Sequence, residues 1–153
     1  MEDSLKIKGT VDFEIRDSQG NLKDSWSVTN TVTSAGKAQI ALLAGDASAT
    51  PFTYLELGTS NTAPAIGQTT LVAAITDSGL ARAAATVSRV TTTVTNDTLQ
   101  LVYTWTASGT KTLEEIGIFN ASSAGTMLAR ALTTSRQVVS GDTFQATYKV
   151  AFA

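Results

Sequence analysis

The sequence predicts an all-β fold, an antiparallel β-sandwich or jelly-roll-like barrel of about eight strands with one short early helix. Short runs alternate apolar and polar residues with a period of two, as half-buried strands do. Turn clusters of Gly, Asn, Asp and Ser separate these runs at the spacing of a strand-rich domain. Much of the polar content is Thr, a β-branched residue at home in strands, while charged residues make up only 16% of the chain. The pattern leaves a jelly roll and other sandwich topologies equally open.

The first run is the cleanest. Leu5, Ile7, Gly9, Val11, Phe13 and Ile15 fall on one face, and Lys6, Lys8, Thr10, Asp12 and Glu14 on the other. Asp17-Ser18-Gln19-Gly20-Asn21 reads as a turn. A second strand follows over Leu22–Val28 with Trp26 inward, so the two form a hairpin. Ser34 then reads as the cap of a helix over Ala35–Ala44, ended by Gly45-Asp46, with Ile40 and Leu43 facing the core. Pro51–Leu57 reads as a strand, and 58–68 as a long polar loop. Thr69–Ile75 reads as one more helical turn. From there the chain reads as strands: Ala81–Thr95, Leu99–Thr106, Leu113–Phe119, Met127–Thr133, and a last run placing Phe144, Ala146, Tyr148, Val150 and Phe152 on one face. No linker, second domain or internal repeat intervenes, so residues 1–153 read as a single β domain.

Composition narrows the chemistry. The 153 residues contain no Cys and no His, which removes disulfides, Zn–thiolate sites, Cys nucleophiles and every Ser-His-Asp triad. Net charge is -2 and no basic stripe appears, so nucleic-acid binding lacks its electrostatic footprint. No apolar run approaches the ~18 residues of a membrane-spanning helix. The acidic start Met1-Glu2-Asp3-Ser4 lacks the basic region and apolar core of a signal peptide, so none is expected.

Chemistry-bearing motifs are few. Leu57-Gly58-Thr59-Ser60-Asn61 lacks the Gly spacing and Lys of a phosphate loop and reads as the turn ending a strand. Glu114 and Glu115 are neighbours, and strand neighbours point to opposite faces, so they cannot act as a facing carboxylate pair. Asp12, Asp17 and Asp24 fit no calcium loop, and Asp17 reads as capping its own turn. No catalytic, cofactor or metal residues are expected. Trp26, Tyr103, Trp105, Phe144 and Phe152 fall on apolar strand faces as core residues; a sugar-binding platform would need them exposed. Arg82, Arg89, Arg130 and Arg136 are the interface candidates, because Arg is enriched at protein interfaces, with solvated charges as the bland reading. Arg130 also suits a pairing with Glu115.

Three stretches together resemble small structural proteins of tailed bacteriophage virions, found as capsid-associated proteins and as tail or fibre modules. They are Tyr54-Leu55-Glu56-Leu57-Gly58-Thr59-Ser60-Asn61-Thr62-Ala63-Pro64 with Thr69-Thr70-Leu71 and Arg82, then 88–100, then 115–121 with 125–130 and Ser140-Gly141-Asp142. The resemblance runs from Ala35 to Ala153 and leaves the first hairpin outside. It implies a non-enzymatic virion building block, with capsid decoration first: a symmetric homo-oligomer, a trimer, bound to the major capsid protein. Symmetric copies multiply weak contacts into avidity. The hairpin within 1–30 becomes a candidate assembly element, and deleting residues 1–16 is expected to weaken attachment more than it disturbs the rest. The rival readings are a tail, baseplate or fibre protein, a carbohydrate-binding attachment module and, least, an enzyme.

Overall fold

The computed structural model describes residues 3–153. Its elements run β1 (Ile7–Arg16), β2 (Leu22–Thr29), β3 (Thr31–Val32), α1 (Ser34–Gly45), β4 (Tyr54–Gly58), β5 (Ala83–Ala84), β6 (Thr86–Val90), β7 (Thr98–Thr106), β8 (Lys111–Phe119), β9 (Met127–Val138) and β10 (Thr143–Phe152). The strands form two five-stranded sheets, ordered β2-β1-β10-β7-β6 and β3-β9-β8-β4-β5. Every pairing is antiparallel. The expected all-β sandwich forms, with ten strands rather than eight. Two of them, β3 and β5, are two-residue pairings too short to show alternation.

The first sheet follows its sequence pattern closely. Val11, Phe13 and Ile15 of β1 and Phe144, Ala146, Tyr148 and Val150 of β10 are buried against the second sheet. Along β10 the buried residues alternate large and small: Phe144, paired with Ile15 and Trp105, is followed by Ala146, paired with Phe13 and Tyr103. Alternation of this kind lets facing layers interdigitate. Phe13, Trp26 and Phe144 meet with ring centroids 5.1–6.2 Å apart, and Trp105 joins Phe144 at 6.0 Å.

The first hairpin is built into the first sheet: β1 lies between β2 and β10 and pairs with β10 along its whole length. Removing residues 1–16 would take out an inner strand and three core side chains. Such a deletion cannot separate assembly from folding.

The second sheet is covered on both faces, so β8 is buried almost continuously from Glu115 to Phe119. Its inner face carries Leu55, Leu57, Ile116, Ile118, Ala129 and Ala131. On the outer face Leu71 packs against Phe119 and Met127 beside Tyr54. Gly117 makes room there: a Cβ at that position would sit 2.9 Å from Leu71 Cδ2.

Thr69–Ile75, expected as a helical turn, is instead an extended strap over that outer face. Thr59 N–H donates to Ala73 O and Ile75 N–H to Leu57 O, each at 2.9 Å, and Gly58 bridges Ala74. The amides a helix would use internally go to a side chain below. The Ala81–Thr95 run is likewise not one strand. It divides at Ala85, where the chain passes from the second sheet to the first.

The helix forms where expected, but its cap is Thr33 rather than Ser34. Thr33 Oγ1 accepts from Gly36 N at 2.8 Å and donates to Met127 O at 2.6 Å. One hydroxyl thus caps α1 and pins it to β9. Ile40 and Leu43 pack on the core as expected.

Candidate interaction surface

The four interface candidates meet different fates, decided by where each strand face lies. Arg130 on β9 and Glu115 on β8 both point to the outer face of the second sheet, under the strap. Their expected pairing is present: Arg130 Nε donates to Glu115 Oε2 at 2.6 Å, with both side chains essentially inaccessible. Glu115 also accepts from Val72 N at 3.1 Å and Ala73 N at 2.8 Å. Arg130 Nη1 donates to Thr62 O at 2.7 Å, and Nη2 reaches Ser60 O at 3.4 Å. The pair therefore fastens both the loop after β4 and the strap to the sheet. A buried ion pair persists only when its remaining donors and acceptors are satisfied, as here.

Arg82 forms a second clamp on the same face. It donates to both oxygens of Glu56 at 3.1 and 3.0 Å, and to Ala121 O and Ala124 O at 2.9 and 2.8 Å. Its guanidinium lies 3.8 Å from the Phe119 ring centroid. The planar fork suits this task as a Lys would not. Asn120 completes the loop by accepting from Thr126 N at 2.7 Å.

Arg136 closes the opposite side of the sandwich. Its Nε meets Asp24 Oδ2 at 2.6 Å, and the guanidinium lies over Trp26 at 4.5 Å. Trp26 in turn donates to Thr133 O at 2.9 Å. This contact staples β2 to a bulge in β9 where Thr134 and Ser135 both take positive φ, 61° and 46°.

Arg89 is different. It lies on β6, which is exposed over most of its length, and it makes no ion pair among the described residues. Arg89 stands opposite Leu99 and two residues from Val87, which stands opposite Leu101. It therefore shares the core-side face of the sheet at an edge the second sheet leaves uncovered. Beside it opens a groove of about 370 Å³ between α1 and the ends of β6, β7 and β10, lined by Ile40, Leu43, Phe52, Val87, Leu99 and Phe152 among others. Asp46 caps the C-terminus of α1, two residues past Ala44 in the groove wall.

The remaining motifs are structural. Glu114 accepts from Ser135 Oγ at 2.9 Å while Glu115 is buried, on opposite faces as alternation requires. Asp17 accepts from Gln19 N and Asn21 N, both at 2.9 Å, and caps its own turn. Asp12 meets Ser27 and Asp24 meets Arg136, so the three Asp do not converge. Trp105 and Phe144 are buried and Arg136 covers Trp26, so these rings form no open stacking platform.

Residues 29–150 match the family model described as podophage GP4 fiber I protein gp80. The chain belongs to this fibre protein family. It is a structural protein of the tailed-phage virion. No curated protein and no solved structure matches it. The family match takes in both clamps, the strap, α1 and β6, and begins at the last residue of β2. In this fibre family member the resemblance-bearing residues Glu56, Arg82, Glu115 and Arg130 are thus the ones that fix the loops over the second sheet.

Some of this escaped sequence reasoning. Glu56 was not legible as the partner of Arg82, because the two are joined only through the register of the second sheet and a loop. Val87 was not legible as a groove residue. Val87 sits in a run whose alternation is blurred by its passage between sheets, and nothing local marks an edge strand.

Proposed function

We propose that the protein is a non-enzymatic structural subunit of a tailed-phage fibre, made in the host cytoplasm and carried in the virion. The match of residues 29–150 to a podophage fibre family carries this reading. The match favours the fibre alternative over capsid decoration, which the resemblance alone had put first. Its partners on this reading are copies of itself and neighbouring fibre or tail proteins, not the major capsid protein. The architecture fits the role. The buried ion pairs hold long connections rigidly against a sheet, giving a fixed surface for assembly. No function is assigned to the arginines of the clamps beyond holding these loops. Counting copies per purified particle tests the reading, since a fibre subunit is present in far fewer copies than the capsid protein.

A further inference from the structure

Holding its loop does not use up the hydrogen-bonding capacity of the Arg82–Glu56 clamp. A guanidinium carries five N–H donors. Nε and one Nη2–H go to Glu56, and Nη1 serves Ala121 O and Ala124 O, which leaves one Nη2–H. Each Glu56 oxygen accepts one of these bonds and keeps a further lone pair. The two side chains are 11% and 10% exposed, and both line one open cavity of about 300 Å³ on the outer face of the second sheet. The little polar surface they retain therefore belongs to that cavity.

The rest of the lining suits a hydroxylated molecule. Ile75 and Ala81 give apolar patches, and Thr76, Ser122 and Ser123 bring hydroxyls. The loop with both serines is preformed. Arg82 holds its carbonyls, Asn120 accepts from Thr126 N, and Ala124 and Gly125 take positive φ, 49° and 74°. A loop fixed in advance loses little entropy when a ligand arrives. Charge then decides the class of ligand. The pair is neutral as a unit, and no other charged residue lines the cavity. An anion would meet the Glu56 oxygens, and a cation would meet the Arg82 guanidinium.

We propose that this cavity binds a neutral saccharide, with one sugar hydroxyl donating to Glu56 and its neighbour accepting from Arg82 Nη2. A hydroxyl both donates and accepts, so two adjacent ones match an acceptor beside a donor. Both bonds are charge-assisted and largely shielded from water, the stronger kind. The sugar C–H groups lie against Ile75 and Ala81. No aromatic ring lines the cavity to stack on the sugar, so a single site binds weakly, in the millimolar range. The site goes beyond the fibre reading and does not rest on it.

The test is an amide chemical-shift titration of the full chain with the methyl glycosides of glucose, galactose, mannose and N-acetylglucosamine, and with glucose 6-phosphate as the anionic control. At least one neutral glycoside should give saturable shifts at residues 75–82 and 121–125, and glucose 6-phosphate should bind more weakly than methyl glucoside. Ala81→Leu, which fills the cavity, and Ser123→Trp, which crowds its mouth from an exposed loop, should each weaken binding on the order of tenfold or more while the amide spectrum elsewhere is unchanged. The loop substitution keeps the test valid if the first variant disturbs the fold. Shifts that fail to saturate or fall outside these residues for all four glycosides overturn the proposal. So does tighter binding of glucose 6-phosphate, or a folded blocking variant that binds like the wild type.

Discussion

Glu115 shows how much one side chain can organise. Its carboxylate accepts from Arg130 and from the amides of Val72 and Ala73, and it is inaccessible to solvent. Gly58 lies directly above: a Cβ there would meet Ala73 O at 2.7 Å. Replacing Glu115 by Ala would leave the buried Arg130 charge without its counter-ion and two amides without an acceptor. Breaking a buried pair in this way costs about 3–5 kcal/mol. Urea unfolding of Glu115→Ala should show a loss of that size, and a loss below about 1 kcal/mol would contradict the clamp.

Asp97 offers a pH-dependent counterpart on the surface. It accepts from the amides of Val94, Thr92 and Thr93 at 2.7–2.8 Å and from the Thr98 hydroxyl. These donors, Val94 first, hold its carboxyl well below the ordinary value of 3.8. A depressed folded value means the carboxylate stabilises the 91–97 loop at any pH above the ordinary value. The contribution fades only as pH falls below it toward the folded value. Amide exchange in this loop should therefore be insensitive to pH-driven opening from neutrality down to the ordinary carboxylate range. Asp97→Asn should loosen the loop even at neutral pH. Equal protection in the variant would show that the carboxylate does not hold the loop.

Among the elements, α1 sets two principles against each other. Ala exceeds Gly in helix propensity by about 1 kcal/mol, so Gly36→Ala ought to stabilise the helix. Yet a Cβ on Gly36 would lie 2.7 Å from Leu128 Cα, and a backbone atom cannot step aside. Lifting α1 off β9 would also strain the Thr33 bridge. Overpacking of this kind costs about 1–3 kcal/mol, so the net change should be destabilising. A rise in thermal midpoint for Gly36→Ala would refute the close packing of α1 on β9.

The elements also show where sequence reasoning reaches. The paired strands β1 and β10 were legible because only one face of each is buried and their alternation is clean. The strap was not, because its Ala- and Thr-rich sequence suits several conformations and its amides are claimed by Glu115, distant in sequence. The Arg130–Glu115 pairing was legible since both lie on strands of known phase. The Arg82–Glu56 pairing depends on where a loop returns to the sheet, which no local pattern encodes. The cap shifted by one residue because Thr33 gains a second bond, to Met127, that only the tertiary structure supplies.

At the level of the whole molecule, the sandwich is closed at one side by the Trp26–Arg136 staple and open at the other along β6. Its outer second-sheet face is sealed by the loops that the Arg130–Glu115 and Arg82–Glu56 pairs clamp. Quantitative mass spectrometry of purified particles, normalised to the major capsid protein, tests the fibre assignment most directly. A small fraction of the capsid protein's count, in the range of the particle's tail and fibre components, is the expected result. A count comparable to that of the capsid protein would contradict it and return the protein to the surface of the head.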